Sequence, residues 1–336
     1  MRFHAMISGA VALCAASPMV SLANDTTAEL KTGGIVFATS SDVRMLSEDL
    51  YISPSSIRVD YVFRNDGKED VETLIAFPMP DISGTYEGDV AMPDATDNFL
   101  DLRVTQDRQP IEPTLQQRAY TPTGLDVTED LVSKNVPLLP NGSQTFDALE
   151  KLAPETLAAF RTKGIVIEDV YDQGKGMEHH PRPIWTLKSV YYWKTRFPVG
   201  KEVKVHHDYR PSVGGTNGIG FVMDGQPNVD IFQDYQKRFC IDDGFVQLAN
   251  KLQAKTATGG PNYMERWLSY VLTTGANWAG PIGRFHLTID KEREEDFVSF
   301  CGKDVVKTGP TTFEMQVENF VPQQDIDILF LVRGAD

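Results

Sequence analysis

Trp185-Thr186-Leu187-Lys188-Ser189-Val190-Tyr191-Tyr192-Trp193-Lys194-Thr195-Arg196-Phe197 is the stretch on which the fold turns. Trp185, Leu187, Tyr191, Trp193 and Phe197 share one side of an extended chain, while Thr186, Lys188, Lys194 and Arg196 share the other. That period of two marks a strand with one buried face. After a turn at Pro198 to Gly200, Val203, Val205, His207 and Tyr209 alternate with Lys204, His206 and Asp208. The two runs read as a hairpin, with His207 on the core side and His206 toward solvent.

The same pattern recurs on both sides. Ile57, Val59, Tyr61 and Phe63 alternate with Arg58, Asp60 and Arg64, and Asn65-Asp66-Gly67 supplies a turn before a second run at Val71 to Phe77. These two are expected to pair as a hairpin that stops at Pro78 and Pro80, since proline donates nothing to a ladder. Leu100, Leu102 and Val104 repeat the alternation, and later runs at Leu268 to Thr274, Phe285 to Ile289, Phe297 to Cys301, Phe313 to Val317 and Ile326 to Val332 do the same. The last has apolar residues on both sides and is expected to be central.

Helical spacing is confined to a few places. Thr26 and Glu29 have the capping-box spacing, so a short N-terminal helix is expected there. Between about 125 and 165 Thr128 can cap one helix, and another has Pro154 in its first turn and Gly164 at its end. A third is expected at Gly244 to Ala254, capped by Asp243. From Gly174 to Pro183 the chain is polar and rich in breakers, a possible subdivision of an otherwise single region spanning 24–336. Many short strands joined by turns, with 26 glycines and 20 prolines to make the turns, predict a mainly β chain: an antiparallel, immunoglobulin-like β-sandwich with short helical insertions.

Residues 1–23 read as a signal peptide. Arg2 gives a positive start, Ile7 to Met19 is apolar, and Ser21-Leu22-Ala23 puts small residues where a signal peptidase reads, so cleavage is expected after Ala23. The apolar run falls short of the roughly 20 residues that span a bilayer, and none of that length follows, so no transmembrane segment is expected. Cys14 follows Leu13, which does not suit a lipoprotein site. A periplasmic chain would keep Cys240 and Cys301, the pair expected to be bonded in an oxidising compartment. Without Arg2, 31 basic against 47 acidic residues leave a net charge of −16, which repels phosphate backbones and argues against a nucleic-acid partner.

Several segments resemble a bacterial family, domain-of-unknown-function family 4424 (DUF4424). They are Ser47-Glu48-Asp49-Leu50 with Ile52-Ser53-Pro54, Ala76-Phe77-Pro78-Met79-Pro80-Asp81, Trp185-Thr186-Leu187-Lys188 with Tyr191-Tyr192-Trp193, and Thr273 to Ile282. The resemblance covers nearly the whole chain after residue 23. It implies export and brings no catalytic residue with it.

Two histidine groups invite a metal reading: His179-His180 beside Glu178, and His206-His207 beside Asp208. Imidazole and carboxylate suit zinc or copper, so a metal-assisted hydrolase drawing on His179, His180, His206 and Asp208 is the alternative. Against it, neighbouring residues of a strand point to opposite faces, so His206 and His207 cannot both ligate one ion without a bulge. The glycines from Gly214 to Gly220 lack the following helix that a phosphate cradle needs. Trp278 sits in a Gly-Ala-Asn-Trp-Ala-Gly-Pro loop and, with Asn277, is the candidate binding pair if exposed. The sequence points to a non-enzymatic binding or structural module of the cell envelope, acting on an unidentified ligand or protein without a cofactor.

Overall fold

A computed structural model describes residues 26–31, 34–79, 81–85, 89–91, 100–172 and 176–334; the signal-peptide reading and Cys14 lie outside them. The described chain is mainly β. Its largest layer is an eight-stranded sheet, in the order Val306–Lys307, Thr312–Phe320, Ile282–Asp290, Val43–Ile52, Ile57–Asn65, Glu202–Tyr209, Arg103–Gln106 and Gln109–Ile111. A six-stranded sheet runs Thr114–Tyr120, Thr186–Phe197, Val71–Pro78, Thr26–Lys31 and Gly34–Ala38, with Ile82–Ser83 also on Thr186–Phe197. A five-stranded sheet runs Phe297–Phe300, Ile326–Arg333, Tyr263–Tyr270, Val213–Gly215 and Asp89–Ala91.

The inner face of the eight-stranded sheet meets both smaller sheets in one core. Phe63 packs against Phe197 at 5.8 Å between ring centroids, Tyr209 against Phe77 at 5.5 Å, and the Tyr61 and Tyr270 hydroxyls lie 3.0 Å apart. Each large apolar side chain buried there contributes about 1.5–3 kcal/mol, which fixes the register of every strand that carries one. The other face of the five-stranded sheet is covered by the helices Phe232–Phe239 and Asp243–Ala257, with Leu329 and Leu331 in a second core. Ile326 to Arg333 is therefore covered on both faces, as its composition indicates: Ile328 and Phe330 face one core, Leu329 and Leu331 the other. A third core gathers Ala119, Leu131, Leu149, Phe160 and Trp185 around the helices Thr128–Val132, Ser143–Glu150 and Pro154–Lys163.

Strand faces follow the sequence, while strand partners depart from it. Thr186–Phe197 pairs with Val71–Pro78 and Thr114–Tyr120, and Glu202–Tyr209 pairs with Ile57–Asn65 and Arg103–Gln106, so the expected hairpin does not form. Pro198 to Gly200 carries the chain from one layer to the other. Ile57–Asn65 and Val71–Pro78 also lie in different sheets, because the turn between them crosses the core edge, pinned by the Asn65 amide donating to the carbonyls of Glu69 and Phe197, each at 2.8 Å. Facing layers bury both apolar faces against each other, which a flat hairpin cannot do. Among the described strands one pairing breaks the antiparallel pattern: Val43–Ile52 runs parallel to Ile282–Asp290.

Thr26–Lys31 is a strand instead of a helix, paired with Gly34–Ala38 and, through Thr26, Thr27 and Ala28, with Val71–Pro78; the ladder outweighs a capping box in so short a segment. Met177–Pro183 is also a strand, paired with Val166–Asp172. A two-stranded ribbon has an open edge on each strand, where the missing N–H of a proline costs nothing. Tyr263–Tyr270 ends earlier than the run at Leu268 to Thr274 implies, since a 3-10 turn follows at Thr273–Asn277. Asp242, one residue before the expected cap, caps Asp243–Ala257 by accepting the Phe245 N–H at 2.7 Å. Phe232–Phe239 is a helix that the apolar spacing did not reveal. Pro154 in the first turn and Gly164 in a left-handed conformation (φ 71°) bound their helix as read. Cys240 and Cys301 form a disulfide.

Candidate functional site

The two histidine groups are not brought together. His179 and His180 lie on the ribbon, where His180 Nδ1 is 2.7 Å from Glu150 Oε1 and its ring stacks on Tyr171, while His179 Nδ1 is 3.4 Å from Glu168. His206 and Asp208 lie on the outer face of the eight-stranded sheet, and His206 Nδ1 meets Asp60 at 2.9 Å. Among the described residues no three His, Cys, Asp or Glu side chains converge on a point that could hold a metal ion. Asp60 is the partner that sequence spacing missed, because it is opposite His206 only through the register of a neighbouring strand.

Trp278 is a core residue. It is 3% exposed, with its ring 4.5 Å from that of Phe63 and 5.9 Å from that of Phe197, so it offers no surface to a ligand. The loop closes over an apolar interior, and the backbone carbonyl of Asn277 beside it accepts the Ser40 N–H at 2.8 Å, leaving Asn277 half-buried. The glycine run has a packing role as well. Gly214 pairs with Trp267 across the five-stranded sheet, and a Cβ on it would stand 2.1 Å from the indole nitrogen.

His207 is fully buried, edge-on to Tyr61, Phe77 and Trp193 at 5.0–5.5 Å. Burial, with His206 adding to it, lowers its pKa to about 3, so the ring is neutral at physiological pH. Glu265 is also fully buried, beneath the helix Phe232–Phe239. It accepts hydrogen bonds from the Gly220 N–H at 2.6 Å and the Tyr235 hydroxyl at 2.7 Å, and burial holds its carboxyl above the usual range despite them.

One open cleft, of about 630 Å³, lies on the six-stranded sheet. Its walls are Ala28, Glu72, Thr73, Leu74, Lys194, Thr195 and Arg196. It exists because the N-terminal strand pairs with only Leu74, Ile75 and Ala76 of Val71–Pro78 and then turns to Gly34–Ala38. Arg196 is committed to Asp70, at 2.6 Å, and the Val199 N–H together with that guanidinium holds the Asp70 carboxyl below the usual range. Lys194 makes no ion pair among the described residues and stands over Leu74 and Ala28, while Glu72, the one acid of the lining, lies 3.8 Å from Arg196.

The sequence profile described as a domain of unknown function, DUF4424, matches residues 23–329. The chain belongs to the DUF4424 family. The match takes in the described elements from Thr26 to the first half of the strand Ile326–Arg333, with the cleft and the buried Glu265. Among curated proteins nothing matches. A crystal structure of a "putative nutrient binding protein" from Legionella pneumophila aligns with a TM-score of 0.45 at 15% identity, over 92% of this chain and 70% of that one.

Proposed function

We propose that the chain is an exported, non-enzymatic binding module of the cell envelope, and that the cleft over Lys194 holds a small organic anion. The observation that carries this reading is the pairing of an open, ligand-sized cleft with Lys194, a cation in no ion pair among the described residues, while the acid of the lining, Glu72, is drawn toward Arg196. Leu74 and Ala28 give an apolar contact, Lys194 gives charge, and the fixed Arg196–Asp70 pair bounds the site at one end. In this reading the layers form an immunoglobulin-like sandwich enlarged by extra strands, and Ser21-Leu22-Ala23 directs cleavage to the periplasmic form.

A thermal-shift panel of mono- and dicarboxylates and organic phosphates tests the assignment. A ligand at 100 times its Kd stabilises the folded chain by about 2.7 kcal/mol, a readily measured rise in Tm. Lys194→Ala should abolish the shift while leaving the unliganded Tm unchanged. Equal shifts in both proteins, or no shift from any anion, would refute the cleft. Mass spectrometry of the exported protein should find Asn24 at its N-terminus.

A further inference from the structure

The eight-residue helix Phe232–Phe239 lies over the five-stranded sheet like a cover. Tyr235 and Phe239 are its buried anchors, and the Tyr235 hydroxyl reaches Glu265 at 2.7 Å. Its far end is tied by three contacts. Arg238 meets Asp327 at 3.4 Å, Ser299 Oγ donates to the Phe239 carbonyl at 2.8 Å, and Cys240, the residue that ends the helix, is bonded to Cys301 just past the strand Phe297–Phe300. Isolated helices shorter than about 12 residues are marginal in water, so this one persists by what ties it down.

The place of the disulfide is unusual for a structural staple. Cys240 is exposed and Cys301 half-buried, at the rim of the second core instead of inside it. Exposed disulfides are the ones thiols reach most readily, and they tend to be labile or regulatory. Against the next helix, Asp243–Ala257, a second cleft of about 340 Å³ is lined by Gly218, Ile219, Gln253 and Tyr263. Gly218 and Ile219 run directly into Gly220, whose N–H holds Glu265, so the loop bounding this cleft also closes off the carboxylate.

We propose that Cys240–Cys301 is a redox-released clasp, whose reduction lets the helix Phe232–Phe239 lift and opens Glu265 to the neighbouring cleft. The reductant is a dithiol. One of its thiolates attacks the exposed Cys240 sulfur to form a mixed disulfide, and Cys301 leaves as a thiolate. The second thiolate of the reductant displaces Cys240, so two electrons and two protons end on Cys240 and Cys301 and the reductant becomes a disulfide. The clasp matters because the ion pair of Arg238 with Asp327 is partly solvated, and such pairs hold little on their own. Lifting the helix also returns the Glu265 carboxylate to water, which offsets part of the apolar contact given up by Tyr235 and Phe239.

Hydrogen exchange of the folded wild-type chain at neutral pH, with and without dithiothreitol, tests this. Thiol titration should count two more thiols after reduction than before it. The amides of 232–239 and of Gly220 and Phe221 should then exchange at least about tenfold faster, while those of 57–65 keep their protection. The Cys240→Ser/Cys301→Ser double variant should show the same fast exchange without reductant. Two new thiols with unchanged helix exchange would overturn the proposal. So would a disulfide that resists dithiothreitol until the chain is denatured, or loss of protection throughout.

Discussion

Trp193 and His207 meet edge to face across the interior, their ring centroids 5.5 Å apart and their planes at 78°, although their strands belong to different sheets. The contact joins the two layers. It also puts a titratable ring where water cannot follow, against Tyr61 and Phe77 as well.

That burial has a pH signature. The folded chain refuses a proton that the unfolded chain accepts below pH 6.5, because His207 in the fold titrates only near 3. Its contribution is complete above pH 6.5 and is lost as pH falls, at about 1.4 kcal/mol per unit. Urea unfolding at pH 7 and pH 4.5 should show roughly 3 kcal/mol of destabilisation from this residue, absent in His207→Phe. If the variant and the wild type lose stability in parallel, His207 is not the source.

Trp278→Ala should behave as a core deletion. Its contacts with Phe63 and Phe197 predict a cost of about 3–5 kcal/mol through the cavity left behind. His206→Ala removes only a partly exposed pair with Asp60 and should cost at most about 1 kcal/mol. Denaturation midpoints of the two variants settle the order, and a Trp278→Ala protein as stable as wild type would return that ring to the surface.

Glu265→Ala strands the Gly220 N–H and the Tyr235 hydroxyl in a cavity, and should cost about 2–4 kcal/mol. Glu265→Gln keeps an acceptor and carries no charge, so it should cost less. The raised pKa of Glu265 means that its stabilising protonation is present at acid pH and fades as pH rises through that raised value. The glutamine variant should therefore gain on wild type between pH 5 and pH 8 in thermal unfolding, and a constant difference would show that the carboxyl is charged throughout.

Gly214→Ala should destabilise by about 1–3 kcal/mol, because its Cβ would overlap the Trp267 indole and force the ring or the strand to shift. Tryptophan fluorescence of the folded variant reports the shift directly. An unchanged spectrum and Tm would mean that the five-stranded sheet has slack at this position.

Much of the fold is legible in the order of residues alone. The alternation from Trp185 to Phe197 assigns faces correctly, His207 to the core and His206 outward, and Leu329 and Leu331 opposite Ile328 and Phe330 mark the doubly covered strand. The cysteine pair is legible too, given an oxidising compartment. The cleft was not, because Lys194 and Ala28 lie far apart in sequence and meet only where the N-terminal strand joins Val71–Pro78.

Side-chain direction along a strand repeats every two residues whatever lies beside it, so the sequence by itself determined which strand residues face inward and which cysteines could pair. Partner choice is a different quantity. Glu202–Tyr209 follows Thr186–Phe197 by five residues yet lies against Ile57–Asn65, because two apolar faces gain more by closing on each other across layers than by lying side by side in one sheet. The tertiary structure alone decided which strands are neighbours, that Trp278 is covered, that His206 meets Asp60, and that a short helix ending at a disulfide closes over Glu265.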